Sequence, residues 1–347
     1  MAKDLPRAYG YSARTQESCG TMGTAVKRVT LALGVLVSLA LFPAAAQGAN
    51  IHYWIGAVPT EWNVVPSGRD PVTGNTFLPT QTTMNTVVYK RFTRNWGQLM
   101  PNRFWVGDND GIPGPTIRAR EGDTVFVHFR NMDTMFGQSH SMHFHGFHYD
   151  FSSDGAFVPG VTGVAANVPV GRNVTYRLRA RRGSVGVWPY HTHSPSMHMP
   201  ESKTLYGMIV IRGRNERKPV RENIVVFSEH LGFQTINGRA FIGNTPTFRS
   251  RVGERVQWNV MAIGDSHHTY HLHGHRWRFA GQNIDTRNVG PAESWKFRIT
   301  EDEPGTWLYH CHVNFHMDAG MVGLYQVAGR SARGTSGGFE GLLAGRP

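Results

Sequence analysis

Apolar and polar residues alternate along the chain in short bursts. Thr124-Val-Phe-Val-His-Phe129, Val174-Thr-Tyr-Arg-Leu178, Met208-Ile-Val-Ile211, Asn223-Ile-Val-Val-Phe227 and Val256-Gln-Trp-Asn-Val260 are typical. Most are of strand length and rich in β-branched and aromatic residues, with Gly- and Pro-containing turns between them. No long stretch keeps a helical period. The pattern predicts an all-β sandwich protein.

The pattern is used twice. Pro115-Thr-Ile-Arg-Ala-Arg-Glu-Gly-Asp-Thr-Val125 matches Pro246-Thr-Phe-Arg-Ser-Arg-Val-Gly-Glu-Arg-Val256, and His143-Phe-His145-Gly146 matches His271-Leu-His273-Gly274. Trp188-Pro-Tyr-His191-Thr-His193 matches Trp307-Leu-Tyr-His310-Cys-His312, and Gly207-Met-Ile-Val-Ile211 matches Gly323-Leu-Tyr-Gln-Val327. The order is the same in both halves, which predicts two domains, 47–213 and 223–329, joined by the polar stretch 214–222. Residues 330–347, rich in Gly, Ser and Arg, read as a flexible tail.

The N-terminus breaks the strand pattern. Lys27 and Arg28 precede an apolar run from Leu31 to Phe42 and then Pro43-Ala44-Ala45-Ala46. This is a basic region, a short apolar core and a small-residue cleavage site, so residues 1–46 read as a signal peptide cut after Ala46, with Met22 an alternative start. The run is short for a membrane span, and no stable anchor is expected. Export is predicted, to the periplasm or the extracellular space. Cleavage would remove Cys19 and leave Cys311 as the single cysteine, unable to form an intramolecular disulfide.

Composition narrows the chemistry. Charged residues are 17% of the 347 and aromatics 11%, which excludes a disordered chain. Residues 1–46 carry five basic and two acidic residues, so cleavage takes the net charge from +12 to +9. This suits an anionic substrate or surface, or plain solubility. No Lys/Arg cluster is interleaved with aromatics, and nucleic acid is not an expected partner. Eighteen histidines beside two cysteines point to metal chemistry.

Ten of those histidines fall in four motifs: His143-x-His145, His191-x-His193, His268-x-x-His271-x-His273 and His310-Cys311-His312-x3-His316-x4-Met321. On a strand, positions i and i+2 share a face, so each His-x-His pair presents two imidazoles to one place. Residues 143, 145, 191, 193, 271, 273, 310 and 312 together offer eight nitrogen ligands, suited to several borderline metal ions. Cys311 faces away from His310 and His312. With His268, His316 and Met321 it can supply one thiolate, two imidazoles and a weak thioether, the donor set of a blue-copper electron-transfer site.

These motifs resemble the multicopper oxidases, specifically the two-domain, small-laccase type with cupredoxin-like Greek-key domains. The resemblance covers most of the predicted mature chain. It implies four coppers per active unit: a type 1 copper on His268, Cys311, His316 and axial Met321; a type 2 copper on His143 and His271; and a type 3 pair on His145, His191, His193, His273, His310 and His312. It implies one-electron oxidation of phenols or aromatic amines, electron passage through Cys311, and four-electron reduction of dioxygen to water. It further implies a homotrimer with trinuclear sites between subunits. Where the second half has Cys311 the first has Thr192, a poor copper ligand, so a type 1 site is expected only in domain two. Tyr149 and Asp154, in Tyr149-Asp-Phe-Ser-Ser-Asp154-Gly, and Asp285 resemble family residues near the cluster and are candidates for proton supply. For the two aspartates, turn or capping roles compete. An axial Met usually gives a lower potential than an apolar residue would.

Other histidines receive blander readings. His148 and His275 read as groups behind the ligands or at the surface. His198, between Met197 and Met199, reads as part of a loop packed on the core, with contact to Cu(I) through soft sulfur as the alternative. His52, His128, His140, His230 and His267 receive no role. Three rival functions stand: a metallo-oxidase taking electrons from Cu(I) or another metal ion, a copper nitrite reductase, and a non-catalytic copper or electron carrier.

Overall fold

The computed structural model describes residues 48–101 and 111–330. The predicted signal peptide, with Cys19, and the tail beyond residue 330 lie outside the described residues. Strand Thr124–Asn131 shows how the sequence pattern acts. Val125, Val127 and Phe129 are fully buried, while Phe126, His128 and Arg130 take the opposite, more accessible face. A period of two therefore gives each such strand a core side and an outer side.

The first half consists of two sheets. One runs in the order Thr83–Phe92, Asn50–Asn63, Thr124–Asn131, Asn173–Arg179, His148–Tyr149; the other runs Gly114–Arg120, Tyr206–Arg212, Gly186–His191, His143–Phe144. The second half repeats the plan. One sheet runs Phe233–Ile236, Arg221–His230, Arg255–Ala262, Ser294–Thr300; the other runs Thr247–Arg251, Val322–Ala328, Gly305–Cys311, His268–Leu272, Thr286–Val289. The sequence repeat is thus a repeat of topology. In each half the strand of the Pro-Thr motif runs parallel to a later strand, with Ile117 opposite Ile209 and Phe248 opposite Tyr325. That later strand pairs antiparallel with the one carrying Trp-x-Tyr-His. The result is two cupredoxin-like β-sandwiches.

Each sandwich has its own core. Ile55, Phe129, Tyr176 and Ile209 are among the residues filling the first, and Phe227, Trp258, Tyr270 and Tyr325 the second. A third cluster, including Trp62, Met208, Val210, Ile224, Val226 and Met261, takes residues from both halves and joins them. Beside it, Glu222 accepts from Arg118 and Arg212, each at 2.8 Å. Burial alone would raise the Glu222 carboxyl pKa; the two guanidiniums overcome this and hold it below the usual range. Among the described residues no helix is long and apolar enough to cross a membrane.

Candidate metal centres

Sheet register brings the histidine motifs together. In the first half, His143 lies opposite His191 on neighbouring antiparallel strands; in the second, His271 lies opposite His310. The alternating side-chain direction then adds His145 and His193 to the first pair, and His273 and His312 to the second. His145 Nε2 stands 3.3 Å from His191 Nε2, and His273 Nε2 stands 3.1 Å from His310 Nε2. Ring centroids within the first set lie 5.1 to 5.9 Å apart. In the second set the contacts fall between 4.9 and 5.4 Å. Among the described residues, no ring contact joins one set to the other within the chain.

The outer nitrogens are fixed in the same way in both sets. His143 Nδ1–H donates to the Asp154 carbonyl at 2.9 Å, and His271 Nδ1–H to the Asp285 carbonyl at 2.9 Å. His191 Nδ1–H donates to the Thr192 carbonyl and His310 Nδ1–H to the Cys311 carbonyl, each at 2.8 Å. Each bond leaves Nε2 with its lone pair, the tautomer a metal requires. Burial, with smaller contributions from neighbouring imidazoles, lowers the pKa of His191 and His310 to about 4, and lowers those of His145 and His273. These rings are therefore neutral and ligand-ready at ordinary pH.

The predicted acids lie beside the first residue of each set. The Asp154 carboxylate is 3.1 Å from His143 Nδ1, and that of Asp285 is 3.9 Å from His271 Nδ1. Burial pushes the Tyr149 hydroxyl up to about 12, helped by the charge of Asp154 and a hydrogen bond to it. Tyr149 thus donates to Asp154 and holds its own proton.

A third group forms behind the second set. His268, Cys311 and His316 are buried, with donor atoms within 4.8 Å of one another. Cys311 Sγ is 3.5 Å from His316 Nδ1 and 3.9 Å from His268 Nδ1. Met321 is fully buried in the same core cluster, and its carbonyl accepts the Cys311 N–H at 3.1 Å. His316 is carried by the short helix Asn314–Asp318, beside Phe315, which is 64% exposed. Burial drives His268 down to about 3 and pushes the Cys311 thiol up. A buried thiol that resists ionising alone, next to two neutral imidazoles, becomes a thiolate when a cation is bound. One thiolate and two imidazoles with converging donor atoms, in a core cluster that also holds Met321, suit copper.

Two buried histidines carry more than the sequence reading gave them. His140, three residues before His143, holds the place that His268 holds before His271. It is fully buried and 3.0 Å from the equally buried Asp133, and Thr192 lies in the adjoining hydroxyl network with Ser194 and Ser196. The first half has thus replaced the sulfur site with a polar one. His275 donates from Nδ1 to the His273 carbonyl at 2.7 Å and lies 2.8 Å from buried Glu301. Burial opposes the charge on His275, but the Glu301 hydrogen bond, the His273 carbonyl and the charge of Glu301 outweigh it and raise the pKa. His230 is buried against Tyr206 and Ser228, whereas His148 and His198 are exposed.

Two β-sandwiches, a sulfur-centred donor set and two four-imidazole sets define a copper-protein class. Multicopper oxidase family profiles match residues 93–216 and 213–331. The chain belongs to the multicopper oxidase family, whose members use type 1, type 2 and type 3 copper. It is 27% identical to human "Ferroxidase HEPHL1" over 343 residues, covering 79% of this chain and 29% of that protein. It is 26% identical to mouse ceruloplasmin over 336 residues, covering 79% of this chain and 30% of that protein. The chain therefore spans less than a third of the length of these two relatives. A solved copper nitrite reductase from Nitrosomonas europaea superposes with a TM-score of 0.61 at 18% identity, covering 80% of this chain and 94% of the other. That likeness is one of fold.

Proposed function

We propose that the chain is a laccase-like copper oxidoreductase, coupling one-electron oxidation of phenols or aromatic amines to four-electron reduction of dioxygen to water. In this reading it is exported, periplasmic or extracellular, with domains at 47–213 and 223–329 joined by 214–222. The observation that carries it is the placement of Cys311. Its side chain belongs to the sulfur-centred set, while its chain neighbours His310 and His312 belong to an imidazole set, so one residue on either side links the two sets covalently. Each chain also holds two separate sets of four imidazoles. This supports a homotrimer in which the first-half set of one subunit meets the second-half set of the next.

His268, Cys311, His316 and Met321 would hold the type 1 ion, His143 and His271 the type 2 ion, and the six remaining imidazoles the type 3 pair. Copper, when bound, supplies one-electron redox chemistry and the reduction of dioxygen. The chain's own residues do the rest. The carbonyls of Asp154, Asp285, Thr192 and Cys311 hold His143, His271, His191 and His310 by Nδ1, which would leave Nε2 of each free to ligate. The carboxylates of Asp154 and Asp285, with side chains 25% and 56% exposed, can pass protons between water and the oxygen-binding region. Tyr149 orients the Asp154 carboxylate. Exposed Phe315 offers an aromatic face beside His316 for an aromatic reductant.

The test is copper content, visible spectrum and oxygen uptake, compared with a Cys311→Ser variant. About four coppers per chain, with colour and uptake both lost in the variant, is the expected outcome; uptake that survives the substitution overturns the route. A metallo-oxidase is the second reading, favoured by the names of the ferroxidase relatives; oxygen uptake with Fe(II) or Cu(I) against uptake with a phenol separates the two. About two coppers per chain would instead indicate a nitrite reductase.

A further inference from the structure

A second group of imidazoles lies away from all three donor sets, on the outer face of the first-half sheet. His52 is on strand Asn50–Asn63 and His128 on the parallel strand Thr124–Asn131, where Trp54 pairs with His128 and His52 with Phe126. The four rings form one stacked patch, in which His52 also lies 5.7 Å from Trp54. Centroids are 4.9 Å apart for Phe126 and His52, 5.3 Å for His52 and His128, and 4.7 Å for His128 and Trp54. His52 Nδ1 is 3.0 Å from His128 Nε2, and His128 Nδ1 is 2.9 Å from Thr175 Oγ1.

We propose that His52 and His128 form a surface binding site for a divalent ion of the copper or zinc class, separate from the resident copper sites. Two metal–nitrogen bonds of about 2.0 Å at adjacent coordination positions place their nitrogens roughly 3 Å apart, the separation already present. When the Thr175 hydroxyl accepts the His128 Nδ1–H, Nε2 keeps its lone pair facing His52. Ligating histidines are commonly held by such a partner on the far nitrogen. Ligation uses the His52 tautomer that carries its proton on Nε2, so that Nδ1 and His128 Nε2 both present lone pairs at the observed separation and an entering ion replaces the proton otherwise shared between them. Partial burial and the neighbouring His52 lower the His128 pKa, which keeps that ring neutral. The rings of Phe126 and Trp54 restrict how far either imidazole can swing, so little freedom is lost on binding. Two imidazoles favour copper, zinc or nickel over magnesium or calcium, and water fills the remaining positions, which makes the ion exchangeable.

The site is tested on the copper-loaded, desalted enzyme by titration with Cu(II), read by calorimetry and by tryptophan emission. The expected result is one further ion per chain, displaced by excess Zn(II) but not by Mg(II), with partial quenching of emission that Trp54→Phe diminishes. His52→Ala and His128→Ala should each weaken binding at least about tenfold, and Thr175→Val should weaken it by several-fold. These positions are accessible, so the visible spectrum should be unchanged and should report that the fold is intact. No further ion in the parent enzyme, or equal binding in both histidine variants, overturns the proposal. Neither result bears on the oxidase reading, which uses other residues.

Discussion

The same hydrogen bond is made twice, once in each half: the first imidazole of the set donates Nδ1–H to the carbonyl of an aspartate whose own carboxylate stays near water. For Asp154 this separates two jobs. Its backbone holds His143, while its side chain approaches His143 at 3.1 Å and accepts from Tyr149. Asp154→Asn should therefore keep copper bound and reduction of the coloured site at its normal rate. Turnover with dioxygen should fall about ten- to a hundredfold. Asp285→Asn should cost less, because that carboxylate is more distant, 3.9 Å, and more exposed. Anaerobic stopped-flow reduction beside steady-state oxygen uptake checks both statements; equal losses in the two assays would mean that the aspartates merely support the fold.

At the scale of elements, the turn after the first His-x-His pair of each half carries a glycine with positive φ, +76° at Gly146 and +73° at Gly274. An added Cβ would lie 2.3 Å from the Trp188 ring or 2.7 Å from the Trp307 ring. Gly146→Ala and Gly274→Ala should each lower stability by roughly 1–3 kcal/mol and loosen the adjoining imidazole set, seen as a lower melting temperature and weaker copper retention. An unchanged melting temperature would refute the packing argument. These turns belong to what was legible in the chain. Period-two alternation marked the strands, and i, i+2 spacing put His143 with His145 and His271 with His273. What escaped was contact across distance. Nothing near His275 announces Glu301, twenty-six residues on, and nothing near His52 announces His128 on a parallel partner strand. His140 repeats before His143 the spacing of His268 before His271, but with Thr192 in place of the sulfur that ring has no donor set to join and its spacing alone carries no signal.

For the whole molecule, burial of neutral imidazoles ties stability to acidity. His191, His230 and His310 titrate at about 4 and His268 at about 3, against about 6.5 in an unfolded chain. Between those limits the unfolded chain binds protons that the folded chain refuses. Stability is therefore complete above pH 6.5 and drains away as pH falls toward 4. Metal-free protein should lose on the order of a few kcal/mol between pH 7 and pH 4.5, measured by denaturant titration. His230→Gln, which alters a buried ring with no proposed ligand role, should flatten that decline; a pH-independent midpoint would contradict the assignment.

In the proposed trimer, the separation of the two imidazole sets within one chain would make subunits unequal donors to each pocket. If the sets meet head to tail, a subunit crippled at His143 still offers a sound second half, and one crippled at His271 still offers a sound first half. Mixed after dissociation and allowed to reassociate, two individually dead proteins should restore roughly a quarter of the parental sites by random assortment. Such intersubunit complementation would be out of reach for an enzyme that closes its oxygen pocket inside a single polypeptide.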